Sequence, residues 1–225
     1  MSDINEFLTK IQPLDIYSNL DLDKFPLDSD VQGWCGHQHI LQKYVALAKP
    51  ELVIEVGTWK GLSAIAMASK LKELGLNDSR VLCIDTWLGA SEHWNDMFSN
   101  LAQYMEHGLP LGLYYQFLAN VIKSDLADYI VPLPSTSRSA AEILTLNNIK
   151  SNLIYIDASH IYDEVLSDCN NYSDIVNVGG YLIFDDYSDT WPGVKNAIDD
   201  FLKSNSDFNI VEIYGPCVVV NKIRS

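Results

Sequence analysis

Residues 52–75 read LVIEVGTWKGLSAIAMASKLKELG, and VLCID follows at 81–85. A short apolar run rich in β-branched residues meets a glycine turn. A stretch of strong helix formers then closes on Gly75, and a second apolar run begins. That is a β-α-β unit, and a helical crossover of this kind joins parallel strands. Reading outward, the same alternation continues with strands expected at YIVPL (129–133), NLIYID (152–157) and YLIFDD (181–186). Helices are expected over 139–146, 161–176 and 194–203, the last two with apolar residues at helical spacing on one face. Two further strands, NIVEIY (209–214) and CVVVNK (217–222), are separated only by Gly215 and Pro216, which predicts an antiparallel hairpin. The expectation is an α/β fold with a seven-stranded, mostly parallel sheet, in a single domain spanning 1–225.

Two regions stand outside the alternation. Residues 1–49 form an N-terminal extension with an irregular opening, the segment GWCGHQH, and a helix expected from His39 to Ala48. Residues 87–122 form an aromatic-rich helical insertion after the second strand, with Trp87, Trp94, Phe98, Tyr104, Tyr114, Tyr115 and Phe117. An insertion there lies over the carboxyl end of the sheet, where open α/β folds bind ligands, and reads as a cap.

Composition excludes several functions. Thirty acidic residues against 15 basic ones leave a formal charge of −15. Such a surface repels phosphate backbones and anionic lipid, so neither nucleic acid nor a membrane is an expected partner. No segment has the ~18 continuous apolar residues of a membrane span, and MSDINEFLTK lacks the pattern of a secretion signal. A cytoplasmic protein is expected. Cys35, Cys83, Cys169 and Cys217 form no C-x-x-C pair and read as reduced, structural thiols.

The turn IEVGTWKG (Ile54–Gly61) opens a helix directly after a strand. Gly57 permits a tight turn beside a ligand, and Gly61 lets the helix start pack closely on the strand. The pattern is neither G-x-G-x-x-G nor a phosphate loop, so a ligand with little phosphate suits it. Asp85, ending the second strand, can accept a pair of hydroxyls; the competing reading is a helix cap. Asp157 ends the fourth strand, and Asp185 and Asp186 end the fifth. Adjacent parallel strands end side by side, so three carboxylates converge. A divalent cation is the usual way to neutralise them, unless each merely caps a helix or faces water. Oxygen ligands favour Mg²⁺, with Mn²⁺ or Ca²⁺ as alternatives, over zinc.

The pattern E-x-G-x-x-x-G followed by Asp85 resembles the first motif of class I S-adenosylmethionine-dependent methyltransferases. With Asp157-Ala158-Ser159 and Asp185-Asp186, the run from Leu52 to Phe201 resembles their metal-dependent small-molecule O-methyltransferase branch. That branch includes catechol-type enzymes and sugar-directed enzymes of macrolide and aminocoumarin biosynthesis. The resemblance implies a Rossmann-like sandwich that transfers a methyl group from S-adenosylmethionine to a hydroxyl of a small molecule, such as a sugar or polyketide. It implies cofactor contacts from Glu55, Gly57, Thr58, Trp59, Gly61 and Ser63, then from Asp85, Thr86 and Trp87, and from Ser135 and Asp157. It implies a cation, Mg²⁺ first, on Asp157, Asp185 and Asp186. Catechol-type members carry a lysine base three residues after the strand-four aspartate. His160 stands at that position here, a residue that titrates near neutrality, so the catalytic pair is His160 with Asp157. Metal ligand, or helix-start residue bonding Asp157, are the other roles open to His160. Substrate contacts fall to His37, His39, Trp94, Tyr187 and Trp191. Relatives commonly pair, so a homodimer is the assembly to test. A non-catalytic cofactor-binding module and a nicotinamide-dependent oxidoreductase are the alternatives; the second would need a better glycine fingerprint and leaves three strand-end aspartates unexplained.

Overall fold

The computed structural model describes residues 3–12, 15–20, 30–31, 37–94 and 101–224. In chain order they form α1 (Asp3–Ile11), α2 (Gln38–Ala48), β1 (Leu52–Val56), α3 (Leu62–Glu73), β2 (Arg80–Asp85), α4 (Ser91–Trp94), a 3₁₀ turn (Leu101–Tyr104) and α5 (Leu111–Lys123). There follow β3 (Ile130–Pro134), α6 (Ser137–Leu146), β4 (Ser151–Ile156), α7 (Tyr162–Ser173), β5 (Val176–Phe184), α8 (Pro192–Ser204), β6 (Phe208–Tyr214) and β7 (Cys217–Lys222).

The seven strands make one sheet in the order β3-β2-β1-β4-β5-β7-β6. The first five run parallel, and β7 pairs antiparallel with both β5 and β6. The expected α/β class and terminal hairpin are therefore present. Every residue of β1 is buried, as befits a central strand covered on both faces. One face packs against α1, α6, α7 and α8, and the other against α2, α3 and α5. The chain steps from β1 outward to β2 and β3, then returns to β4 on the other side of β1. That reversal opens a crevice at the carboxyl ends of β1, β2 and β4, where ligands of such sheets bind.

Three local departures have physical causes. The opening of the chain contains α1, which buries Phe7 and Leu8 in the core. β5 begins at Val176, five residues before the expected start, because its VNVGG half pairs with β4 only after a register shift between Ser151 and Leu153. The segment after β2 is helical as expected, yet α5 is also the crossover helix between β2 and β3. Trp87 packs on Tyr114 and Phe117 at ring separations of 4.8 and 4.9 Å, so these aromatics help build the core. Cys83, Cys169 and Cys217 are buried and none is in a disulfide. Cys35, the GWCG segment and Phe98 lie outside the described residues. Among the described residues no helix is long and apolar enough to cross a membrane.

Candidate active site

The crevice holds a cavity of about 870 Å³, toward the upper end of the range for small-molecule sites. Its floor begins with the glycine turn. Gly57 has φ +84°, and a Cβ there would stand 2.0 Å from the Asp157 carbonyl oxygen. Glycine is thus required because the exits of β1 and β4 cross in contact, not only for room beside a ligand. At Gly61 the neighbour is Phe117 of α5, 3.0 Å from a notional Cβ; the expected packing on the strand is replaced by packing on the crossover helix.

Asp85 is not a helix cap. Its Oδ2 accepts the Thr58 and Trp59 amides at 2.9 and 2.8 Å, and its Oδ1 accepts the Trp87 amide at 2.7 Å. A carboxylate has about four acceptor positions, so three amides leave it roughly one for a ligand rather than two. Trp59 and Trp87 both take left-handed backbone, φ 52° and 50°, and the Trp87 indole donates to the Trp59 carbonyl at 2.9 Å. Strain of this kind concentrates at functional sites. Beneath the turn, Glu55 is fully buried and its Oε2 accepts the Thr58 hydroxyl at 2.9 Å.

The second half of the site lies at the ends of β4 and β5. Tyr155 places its hydroxyl 2.7 Å from Asp185 Oδ2 and 3.1 Å from Asp157 Oδ2. Burial, reinforced by Asp185 and Asp186, pushes the Asp157 carboxyl well above the usual range. His160 lies between two carboxylates, with Nδ1 2.8 Å from Glu92 and Nε2 2.8 Å from Asp186, and its ring stacks on Trp191 at 3.9 Å. Burial works against a charged imidazole, but the hydrogen bonds to Asp186 and Glu92 outweigh it and raise the pKa to about 9. The expected convergence of three carboxylates is present, but their oxygens do not form one ligand set. Asp157, His160 and Asp186 make one group, and Asp185 turns to a second with His37 and Cys217.

Of the residues singled out from sequence, Gly57, Thr58, Trp59, Ser63, Asp85, Thr86, Ser135, Asp157, His160, Asp185, Asp186, His37 and Trp191 line the cavity. Others do not. Glu55 and Gly61 lie beneath the turn, and Trp87 is in the core. His39 meets Tyr214 edge-on at 4.5 Å, since side chains two apart at a helix start diverge. Trp94 is exposed and donates to the Leu88 carbonyl, and the Tyr187 hydroxyl is bound to Asp199. The sequence reading missed Glu92, and it left His93 unplaced; His93 stacks on Trp59 at 4.3 Å. Neither sits at a strand end, which was the signal that exposed the aspartates.

A sheet of this order, with a strained glycine turn and acids at the ends of β2, β4 and β5, defines a class I methyltransferase fold. The O-methyltransferase NovP superposes with a TM-score of 0.62 at 23% identity, covering 83% of this chain and 79% of NovP. The Bacillus cereus O-methyltransferase in complex with SAH superposes with a TM-score of 0.59 at 15% identity, over 97% and 91% of the two chains. Residues 54–187 match the family described as a methyltransferase domain, and the chain belongs to that family. It is also 29% identical over 167 residues to the uncharacterized protein R132 of Acanthamoeba polyphaga mimivirus, with 72% of this chain aligned. The match spans 65% of the length of that relative.

Proposed function

We propose that the chain transfers a methyl group from S-adenosylmethionine to a hydroxyl of a small molecule with the help of a divalent cation. The observation that carries this reading is the joining, in one cavity, of a carboxylate held by glycine-turn amides with an oxygen-rich group at the next strand ends. The residues fit both groups. Asp85 keeps an acceptor position for a ribose hydroxyl, Thr58, Trp59, Ser63 and Thr86 border the same wall, and Ser135 borders it across β3. Asp157 and Asp186 offer hard oxygens to Mg²⁺ or Mn²⁺, with Asp185 tied to Asp157 through Tyr155.

When bound, the cofactor supplies an electrophilic methyl and the cation a Lewis acid that acidifies the acceptor hydroxyl. The chain's own part is to orient and to handle the proton. Glu92 retains the Nδ1–H of His160, so Nε2 is the nitrogen that accepts a proton once Asp186 is engaged elsewhere. Trp191 fixes the ring plane. The strongly acidic chain disfavours an anionic acceptor and points to a neutral metabolite such as a sugar or polyketide. Calorimetry with S-adenosylhomocysteine and NAD, each with and without Mn²⁺, tests the reading. The expected result is binding of the first only, and a Mn²⁺ site lost in Asp157→Ala. Binding of NAD alone, or Mn²⁺ affinity untouched by Asp157→Ala, would sink it.

A further inference from the structure

Asp185 shares the Tyr155 hydroxyl with Asp157 through Oδ2, but its Oδ1, which also accepts the Asp186 amide at 2.9 Å, keeps company different in kind. His37, at the start of α2, brings Nε2 to 3.3 Å from Asp185 Oδ1, and Cys217, the first residue of β7, brings Sγ to 3.5 Å from the same oxygen. The three donor atoms lie within 4.8 Å of one another. Asp185 and Cys217 are 7% and 1% exposed. His37 and Asp185 also border the cavity, as does Pro216 beside Cys217, so an ion can enter from solvent. The β5–β7 pairing brings Cys217 beside Asp185, 32 residues earlier in the chain (217 − 185), and His37 joins them from 148 residues before Asp185 (185 − 37).

Their spacing carries chemical information. Zinc bonds to imidazole nitrogen, carboxylate oxygen and thiolate sulfur are ~2.0–2.1, ~2.0–2.2 and ~2.3 Å. In a tetrahedron these lengths put nitrogen and oxygen ligands ~3.3–3.5 Å apart, and sulfur and oxygen ligands ~3.5–3.7 Å apart, so the shortest bonds fit the present spacing. The observed separations are 3.3 and 3.5 Å. A mixed N, O, S set suits a borderline or soft cation and is foreign to Mg²⁺.

We propose that His37, Asp185 and Cys217 form a second cation site, distinct in chemistry from the Asp157–His160–Asp186 group and selective for a thiophilic divalent ion of the zinc class. The three side chains supply three corners of a tetrahedron, and the cavity side leaves the fourth to water. Binding displaces the thiol proton of Cys217 to solvent, so the ligand set becomes thiolate, neutral imidazole and carboxylate. Because Asp185 shares the Tyr155 hydroxyl with Asp157, an ion here is linked to the neighbouring oxygen group through that hydroxyl. The site goes beyond the methyl-transfer reading and does not depend on it.

Co²⁺ is the probe, added to the reduced 225-residue chain without cofactor. The expected result is a near-ultraviolet thiolate-to-cobalt band with visible bands of tetrahedral intensity, saturating at one equivalent and bleached by Zn²⁺. Cys217→Ser, nearly isosteric, should abolish the thiolate band. His37→Ala, at a helix start, should weaken Co²⁺ at least about tenfold, and it reports on the site even if the buried serine variant fails to fold. Asp157→Asn should leave the band in place, which separates this site from the neighbouring acids. Absence of a thiolate band, or a band unchanged in His37→Ala or Cys217→Ser, overturns the proposal; neither outcome bears on cofactor binding.

Discussion

Replacing Glu55 by glutamine should alter how stability depends on pH more than its level at any one pH. Burial is the dominant influence on this carboxyl and drives it up to about 7 from 4.5, against opposing hydrogen bonds from Ser63, Thr58 and Cys83. A rise of that size corresponds to roughly 3 kcal/mol. The folded pKa lies above the unfolded one, so the unfolded chain releases its proton first as pH increases. Below about 4.5 the group makes no difference; from there to about 7 stability falls, and the full penalty persists at higher pH. Glutamine cannot ionise and removes that slope. Urea unfolding of cofactor-free protein at about pH 5 and about pH 8 should show the variant gaining roughly 2–3 kcal/mol on wild type between the two. The absolute level also includes whatever the amide loses at the Thr58 hydroxyl, which is why the difference between pH values is the diagnostic quantity. A variant-to-wild-type gap that stays constant across the range would refute the idea that Glu55 is held protonated by burial.

Gly57→Ala should lower stability by more than the about 1–2 kcal/mol of a left-handed backbone, because its Cβ meets the Asp157 carbonyl at 2.0 Å. Thermal unfolding measures the loss, and a variant as stable as wild type would remove the crossing of β1 and β4 from the account. Glu92→Gln should lower the pKa of His160 below about 9, since one of the two carboxylates that raise it is gone. Imidazole proton shifts across pH read this directly, and an unmoved titration would show that Asp186 acts alone.

The strands were legible because each is an apolar run bounded by turn residues. The first and last match their expected limits to the residue, and most others shift by one. β5 extends five residues upstream of its expected start, through Gly179 and Gly180, of which only Gly179 takes a positive φ. The 87–122 insertion reads as a cap from its place over the carboxyl end of the sheet, but its α5 is also the crossover to β3, and Phe117 on it is fully buried. In the site, Asp85, Asp157, Asp185 and Asp186 could be found because parallel strands deliver their last residues to one edge. Their orientations could not. The turn of Asp185 toward Cys217 depends on which strand pairs with β5, and that strand lies some thirty residues on in the chain. Asp168 shows what a closer reading would have recovered. It shares a helical stripe with Val165, Cys169 and Tyr172, all buried, and a lone acid in such a stripe needs a partner. Ser137 at the start of α6 provides it, while burial still raises the carboxyl to about 6.

Five acids stand at or near the carboxyl ends of adjacent parallel strands, and the protein neutralises them in two ways. On the β1–β2 side Asp85 is held by three backbone amides, donors fixed by the fold and available at every pH. Glu55, beneath them, is removed from solvent altogether. On the β4–β5 side, apart from the Asp186 amide on Asp185, the partners are exchangeable: the imidazole of His160 for Asp186, the hydroxyl of Tyr155 with His37 for Asp185, and for Asp157 a proton that burial makes harder to lose. Fixed dipoles suit a ligand that must be bound in one orientation, because they need no reorganisation when it arrives. Exchangeable protons suit a place where charge has to move. The rim of the sheet is therefore divided by its own hydrogen bonding into a half held by fixed amides and a half held mainly by exchangeable protons. The strained turns at Trp59 and Trp87 belong to the first half, and the Glu92–His160–Asp186 chain belongs to the second.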